Sequence, residues 1–579
     1  MTHSRDYEGR SQTDGVVNAA EGILQCFDRY NEAFRGVTRK ARGRFERREW
    51  AGLQDDINER YALYETWVQT ARQTAEQALD PHARDRVLWR LTRNHYRRLI
   101  RGHPDVEFVK TFFNSVSRRA LSTVGIDEDV EFVAMDLDPT KRISACPDLQ
   151  VWPVQGTLEA TVADVIGAVE FNLPDRDRDA GARCVADGLR AAAERRGLRR
   201  EFESLEVLAQ VFYQSTRAYR VGRALQDGVA LPMVVALAND GAGVYVDAVL
   251  TRESEISVLF GFTRSYFMAD LEAVTATVVY LKRMLTRKPL AELFTVLGRV
   301  KQGKTELYRA LEHHLERSSD RFCHAPGTPG MVMIAFTLPS ADTLFKVIRD
   351  QFDYPKSVDR ADVLDRYKLV FQHDRGGRLI DAQEFRRLEF ERRRFDPALL
   401  EELRQAAAST VTLTDDKVVI DHLYTERRLT PLNLYLQSCT STEAEHVVID
   451  YGQALRDLAR SNIFPGDLLL KNFGVTRRRR VIFYDYDELC LLTDCHFRHL
   501  PEPRSQEELL ADETWFHVAE NDVFPEQFHR FMGLPPELMA VFREHHGELF
   551  TVEYWSRIQR RIRQGEVLEI LPYRNAPPD

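Results

Sequence analysis

Along the first third of the chain the apolar residues recur at helical spacing. Ile23, Phe27, Tyr30 and Phe34 fall three and four positions apart, which places them on one face of a helix. "RVLWRLTRNHYRRLI" (Arg86–Ile100) and "RCVADGLRAAAERRG" (Arg183–Gly197) continue in the same style, and Gly197 stops the second. Shorter β-type runs interrupt them. "VEFVAMD" (Val130–Asp136) is one, and "MVVALA" with "VYVDAVL", separated by "NDGAG", predicts a hairpin. From about residue 310 the texture changes. A polar helix, "ELYRALEHHLERSSDRF", gives way to "APGTPGMVMIAF", a Pro/Gly-punctuated loop running into a strand. A strand, "TLFKVIRD", a helical stretch, "RRLEFERRRFDPALLEELRQAA", and another strand, "KVVIDHLY", come next. Helices and the segments "NIFPGDLLLKNFGV" and "VIFYDYDE" close the chain. A β-rich start followed by a helical lobe is an α+β arrangement. The domains expected are 1–314, mainly helical, and 315–579. No internal repeat or low-complexity tract is present.

Composition narrows the class. A chain of 579 residues exceeds what one compact core accommodates and predicts two to four domains. The apolar fraction of 44% and charged fraction of 29% are those of a folded water-exposed protein. A net charge of −9 argues against a general nucleic-acid binder. "TRRRRV" (Thr476–Val481) reads as a solvated turn between strands. "MTHSRDYEGRSQ" lacks the apolar core of a signal peptide, and no apolar run approaches the roughly 18 residues of a membrane span. Seven cysteines are scattered without paired metal spacing; Cys490 and Cys495 lack a second pair. The expectation is a cytoplasmic protein with reduced thiols and no membrane or nucleic-acid partner.

Two motifs compete as nucleotide sites. "GRVKQGKT" (Gly298–Thr305) fits the P-loop pattern letter for letter. A P-loop, however, follows a buried strand and opens a helix, its glycines wrapping a phosphate in backbone N–H groups. Here the surroundings read helical on both sides, with Leu293, Val296, Leu297 and Val300 at face spacing, and the loop carries bulky Arg, Val, Lys and Gln. The motif is read as a basic helix–helix connection, with Lys301 and Lys304 left as candidates for positioning an effector or a substrate protein.

The second constellation lies downstream. Asp467 is followed five positions later by Asn472, and eighteen residues beyond Asp467 the strand "VIFY" delivers Asp485 at its end. A protein-kinase-type phosphoryl-transfer site needs one carboxylate for the attacking hydroxyl, and an amide with a second carboxylate for Mg²⁺. Pro465-Gly466-Asp467 and Asp485-Tyr486-Asp487 stand where His-Arg-Asp and Asp-Phe-Gly are usual. Upstream, Gly327 and Gly330 of the turn Ala325–Met331 allow a close approach of backbone N–H groups to phosphates, and Lys346 sits on the next strand.

These residues resemble a known family. "VKQGKTELYR", "APG-x-x-GMVM", "FKVI-x-D", "DAQEF", "Y-x-ERR-x-x-PLN", "NIFPGD-x-L-x-KNFGV" and "VIFYDYDE" are similar over nearly the whole chain to isocitrate dehydrogenase kinase/phosphatase, the bifunctional bacterial regulator of the glyoxylate bypass. The resemblance implies a regulatory N-terminal domain and a bilobal protein-kinase-like domain with a substrate-docking insertion. It implies ATP binding by Ala325, Pro326, Gly327, Thr328, Pro329, Gly330, Met331 and Lys346. Asp467 becomes the catalytic-loop carboxylate, Asn472 and Asp485 the metal ligands, and Asp381 of "DAQEF" an active-site residue with a part in the phosphatase reaction. "YTERR" (Tyr424–Arg428) falls where the inter-lobe connection contacts adenine. Glu384, Glu389 and Glu391 remain candidates for the carboxylate that pairs with Lys346. Mg²⁺ or Mn²⁺, ADP for the phosphatase reaction, AMP as effector, and isocitrate dehydrogenase as protein substrate belong to the same implication.

The acidic, aromatic segment "EELLADETWFHVAENDVFPEQF" (Glu507–Phe528) is a candidate docking loop or part of the domain's own core. Two alternatives are a small-molecule phosphotransferase of kinase-like fold and a catalytically dead scaffold.

Overall fold

The computed structural model describes residues 2–133, 147–198, 201–261, 266–352, 359–373, 375–501, 516–519, 521–571 and 573. The chain packs as two units. One is Met1–Ser319 together with Arg387–Arg392 and Leu413–Asp421; the other is Asp320–Arg386, Arg393–Thr412 and His422–Asp579. Among the described residues no helix is long and apolar enough to cross a membrane.

In the first unit the helices Thr2–Arg47 and Trp50–Ala78 form an antiparallel hairpin over Arg86–Leu99 and Val106–Leu121. The periodic face read from the sequence is the buried one: Ile23, Phe27, Tyr30 and Phe34 interlock with Tyr64, Phe108 and Phe112. The rings of Tyr30 and Tyr64 meet edge to face at 5.5 Å, the arrangement favoured by the aromatic quadrupole. The unit is less purely helical than its opening suggests. It carries a six-stranded sheet built from Leu149–Pro153, Ser204–Leu208, Arg217–Gln226, Val229–Asn239 and Val244–Leu250, with Phe212–Gln214 paired at one side. Val229–Asn239 and Val244–Leu250 are the expected hairpin. Of the strand expected at Val130–Asp136, residues 130–133 are turn and loop, and 134–136 lie outside the described residues.

"GRVKQGKT" joins two helices, Leu290–Val296 and Val300–Arg317. Gly303 is inside the second helix, where a Cβ would stand 2.2 Å from Thr295 Oγ1; a close helix–helix packing, not a phosphate, requires the glycine. Arg299 is buried, its guanidinium 4.4 Å from the Phe34 ring centroid and donating to Asn31 Oδ1 at 2.8 Å. A helix, not a strand, leads directly into the motif, so the helix–helix reading holds.

The second unit opens with an antiparallel five-stranded sheet in the order Gln383–Phe385, Leu423–Arg427, Thr343–Ile348, Met333–Thr337, Cys323–His324. The helices Arg360–His373 and Pro397–Ala406 belong to this lobe. The helical stretch expected over Arg386–Ala407 is shorter than its sequence suggests. Leu388–Glu391 is a strand paired with Lys417–Ile420, and only Pro397–Ala406, opened by its proline, is α-helix. After Thr430–Pro431 the chain enters a helical lobe around Ser441–Arg460, Pro536–His546 and Val552–Arg563, where Trp555, Phe464 and Phe528 pack together. Thr440 and Glu443 close a capping box at the start of the long helix. "TRRRRV" is the turn between the paired strands Phe473–Val475 and Val481–Phe483.

Candidate active site

A cleft of about 1260 Å³ opens within the second unit. Its lining contains all seven residues Ala325–Met331, and also Lys346, Asp467, Asn472 and Asp485. Segments separated by up to 160 positions thus supply one wall. Asp381 stands outside the lining, although its neighbour Ile380 is part of it, and of Tyr424–Arg428 only Glu426, Arg427 and Arg428 line the cleft.

The loop Ala325–Met331 bridges two adjacent strands of the sheet, and Ala325 N–H donates to Ala335 O at 3.0 Å. Gly327 has φ +122°, which a side chain rarely tolerates, and a Cβ on Gly330 would lie 2.7 Å from Met333 O. Lys346 projects from the central strand, in register with Ala335 on one side and Tyr424 on the other. Its Nζ reaches Glu426 Oε2 at 2.8 Å and donates to Tyr484 O at 2.9 Å.

Glu426 corrects an expectation. None of Glu384, Glu389 and Glu391 is the partner of Lys346: Glu384 pairs with Arg386 and His422, Glu389 pairs with Lys417, and Glu391 ends a strand of the other sheet. The carboxylate comes from the neighbouring strand Leu423–Arg427, inside the segment expected to contact adenine. The helix Arg360–His373 contributes a tyrosine instead, Tyr367, whose hydroxyl donates to Glu426 Oε1 at 3.4 Å while its ring stacks on Tyr424 at 3.9 Å. Glu426 is wholly buried, and that burial pushes its carboxyl above the usual range against the pull of Lys346.

Asp467 follows the short strand Ile463–Phe464 and is held by its own loop: its Oδ1 accepts from Leu469 N at 2.9 Å, and Asn472 hydrogen-bonds to the same carboxylate. Tyr451, on the long helix, donates to Leu468 O at 2.6 Å and anchors the turn from below. Burial, with the Glu488 charge added, pushes the Asp467 carboxyl above the ordinary aspartate range. A carboxylate whose surroundings raise its proton affinity is the kind of group that can take a proton from a hydroxyl.

Asp485 follows the strand Val481–Phe483, whose position is fixed from two sides. Phe483 pairs with Phe473, and its own N–H donates to Arg378 O at 2.8 Å while its carbonyl accepts from Ile380 N–H at 3.0 Å. Arg378 is fully buried, with Asp450 at 2.7 Å and Asp457 at 2.8 Å. Tyr486 OH donates to Ile380 O at 2.7 Å, so the Asp-Tyr-Asp segment and the segment bearing Asp381 run side by side. Asp381 accepts from Gln383 Nε2 at 2.7 Å. Asn472, Asp485 and nearby Asp487 are hard oxygen donors, the chemistry that Mg²⁺ or Mn²⁺ takes. Among the described residues no cluster of three His, Cys, Asp or Glu side chains is arranged to hold a metal by itself.

Comparison with known proteins decides the family. Residues 20–319 match the model of the regulatory domain of isocitrate dehydrogenase kinase/phosphatase (AceK), and residues 320–575 match that of its kinase domain. The chain belongs to the isocitrate dehydrogenase kinase/phosphatase family. A relative of that name from Xanthomonas euvesicatoria pv. vesicatoria (strain 85-10) is 45% identical over 556 residues, 96% of this chain and 96% of the relative. Relatives of the same name from Anaeromyxobacter sp. (strain Fw109-5) and Anaeromyxobacter dehalogenans (strain 2CP-C) are 42% and 44% identical, covering 97% and 96% of each chain. A small-molecule phosphotransferase is not favoured by these matches. The α+β organisation, regulatory domain first and kinase domain second, is that of the family.

The sequence did not reveal Glu426 as the partner of Lys346, nor the group His324, Arg349 and Glu402 at the rim of the cleft. Of the aromatics in Glu507–Phe528, Trp515 lies outside the described residues. Phe516 and Phe524 meet edge to face at 5.4 Å. The Sγ atoms of Cys490 and Cys495 are 3.6 Å apart, both as free thiols.

Proposed function

We propose that this chain is an ATP-dependent serine kinase and phosphatase of isocitrate dehydrogenase, switching carbon between the tricarboxylic acid cycle and the glyoxylate bypass. The observation that carries the reading is the gathering of the Gly-containing loop, Lys346, Asp467, Asn472 and Asp485 on one cleft in a member of this family. In the kinase direction, Asp467 orients the serine hydroxyl and takes its proton. Lys346 offsets charge on the transferring phosphoryl group, and the loop Ala325–Met331 offers backbone N–H groups to the phosphates. Asn472 and Asp485 are the residues that would hold Mg²⁺ or Mn²⁺, and the chemistry such an ion supplies is neutralisation of charge between the phosphates.

In the phosphatase direction the same cleft binds ADP, which takes the phosphoryl group from phosphoserine to give ATP and free serine, and water then cleaves that ATP to ADP and inorganic phosphate. A carboxylate beside the phosphates then orients water; Asp487, which lines the cleft, and Asp381, next in sequence to the lining residue Ile380, are the two candidates. AMP is the proposed effector, and the cytoplasm the proposed compartment. The test is direct: purified chain, isocitrate dehydrogenase and MgATP are expected to give a phosphorylated, inactive dehydrogenase, and added ADP to reverse it. Labelled phosphate that appears only in small molecules would overturn the assignment.

A further inference from the structure

We propose that Glu402, Arg349 and His324 form a clamp that fixes both shoulders of the loop Ala325–Met331 and thereby sets its N–H groups for a nucleotide's phosphates. This inference rests on the nucleotide reading of the cleft and assigns positioning residues to it.

The loop needs such support for a stated reason. Pro326 and Pro329 carry no N–H, and Ala325 N–H is engaged with Ala335 O, so the loop can offer a phosphate only Gly327, Thr328, Gly330 and Met331. The glycines that permit close approach also leave the backbone free to move. At the apex, the nearest atom to a Cβ placed on Gly327 would be Pro431 Cγ at 3.7 Å, so no tight packing holds it.

One carboxylate reaches both ends. Glu402 Oε2 pairs with His324 Nε2 at 2.6 Å, at the residue that enters the loop. Glu402 Oε1 pairs with Arg349 Nη2 at 2.5 Å, and the same guanidinium donates from Nε to Gly330 O at 3.1 Å, where the loop leaves. Glu402 is carried by the helix Pro397–Ala406, which is seated by the fully buried Leu399 and Leu403. Ala406 O accepts from Asp350 N at 2.8 Å, so the helix end is tied to the residue next to Arg349.

Exposed ion pairs contribute little to stability. This one differs in that Arg349 and Glu402 are only 15% and 27% exposed and the arginine's second bond ends on the loop's own carbonyl. All three residues line the cleft.

The test is titration of the full chain, in Mg²⁺, with ATP and separately with adenosine. Wild type, Glu402→Ala, Arg349→Ala and the double variant are compared. The clamp predicts that each single variant weakens ATP about tenfold, as for loss of one charge-assisted hydrogen bond, with adenosine within about twofold of wild type. The double variant is expected to be no weaker than Arg349→Ala, because one device has been removed twice. Weakening of ATP by Arg349→Ala but not by Glu402→Ala would overturn the clamp and make Arg349 a direct phosphate ligand. Equal losses for ATP and adenosine would overturn it in favour of general structural support. A wild-type chain that binds neither ligand would overturn the nucleotide reading itself, a different failure from the other two.

Discussion

Replacing Lys346 with methionine should damage the protein in two separable ways. The lysine is 9% exposed, and its partner Glu426, 2.8 Å away, is wholly buried. Without the cation, Glu426 keeps the Tyr367 hydroxyl at 3.4 Å as a partner but loses its counter-charge. Breaking a buried pair from one side typically costs about 3–5 kcal/mol.

Protonation limits that cost. From an ordinary glutamate value of 4.5, taking up a proton at pH 7.5 costs about 4 kcal/mol, and at pH 5.5 about 1.4 kcal/mol. The sign follows from an acid whose folded pKa is raised: stability is complete below the unfolded value and is lost as pH rises through the folded one. The deficit of Lys346→Met should therefore shrink on acidification. At about 2–4 °C per kcal/mol for a unit of this size, calorimetry should show a drop of roughly 8–16 °C at pH 7.5 and roughly 3–6 °C at pH 5.5. The double variant Lys346→Met/Glu426→Leu removes the stranded charge and should melt within a few degrees of wild type. Phosphoryl transfer should remain lost in both variants. A single variant as stable as wild type at pH 7.5, or a deficit that grows on acidification, would refute the argument.

Asp467→Asn should reduce phosphoryl transfer by roughly 10²–10⁴-fold with ATP binding retained. Because burial and the Glu488 charge raise the Asp467 carboxyl, the wild-type rate should climb with pH through a value above the ordinary aspartate range. Glu488→Gln should move that acid limb to lower pH, and a pH–rate profile reads the shift. In "GRVKQGKT", Lys304→Ala should leave ATP affinity unchanged, whereas Gly303→Val should destabilise the first unit, since even a Cβ there would meet Thr295 Oγ1 at 2.2 Å. A large loss of ATP affinity on removing Lys304, read by titration, would restore the P-loop reading.

The residues that gather on the cleft of the second unit were legible because the type and order that phosphoryl transfer asks for can be read along the chain. A loop with two glycines, a strand lysine, an Asp with its Asn five positions on, and a strand-end Asp are each tied to short local structure, and all of these meet on one cleft. The pairing of Lys346 was not legible. Three glutamates lay in the expected stretch, but Leu388–Glu391 became a strand of another sheet and Glu384 turned to His422 and Arg386. Cross-strand register, which sets Lys346 opposite Tyr424 and so beside Glu426, leaves no mark on spacing along the chain.

By itself the sequence determined the helical face of the first unit, the hairpin of its sheet, the family, and the residues suited to the chemistry. All of these rest on local periodicity or on short motifs, where neighbours along the chain set the outcome. Tertiary structure alone decided that a P-loop string becomes a helix corner, that a strand glutamate partners the lysine, and that one carboxylate joins both ends of the loop Ala325–Met331. Each of these depends on which side chains arrive from distant segments into a space with low dielectric and no spare volume, and burial, not spacing, fixes the partner.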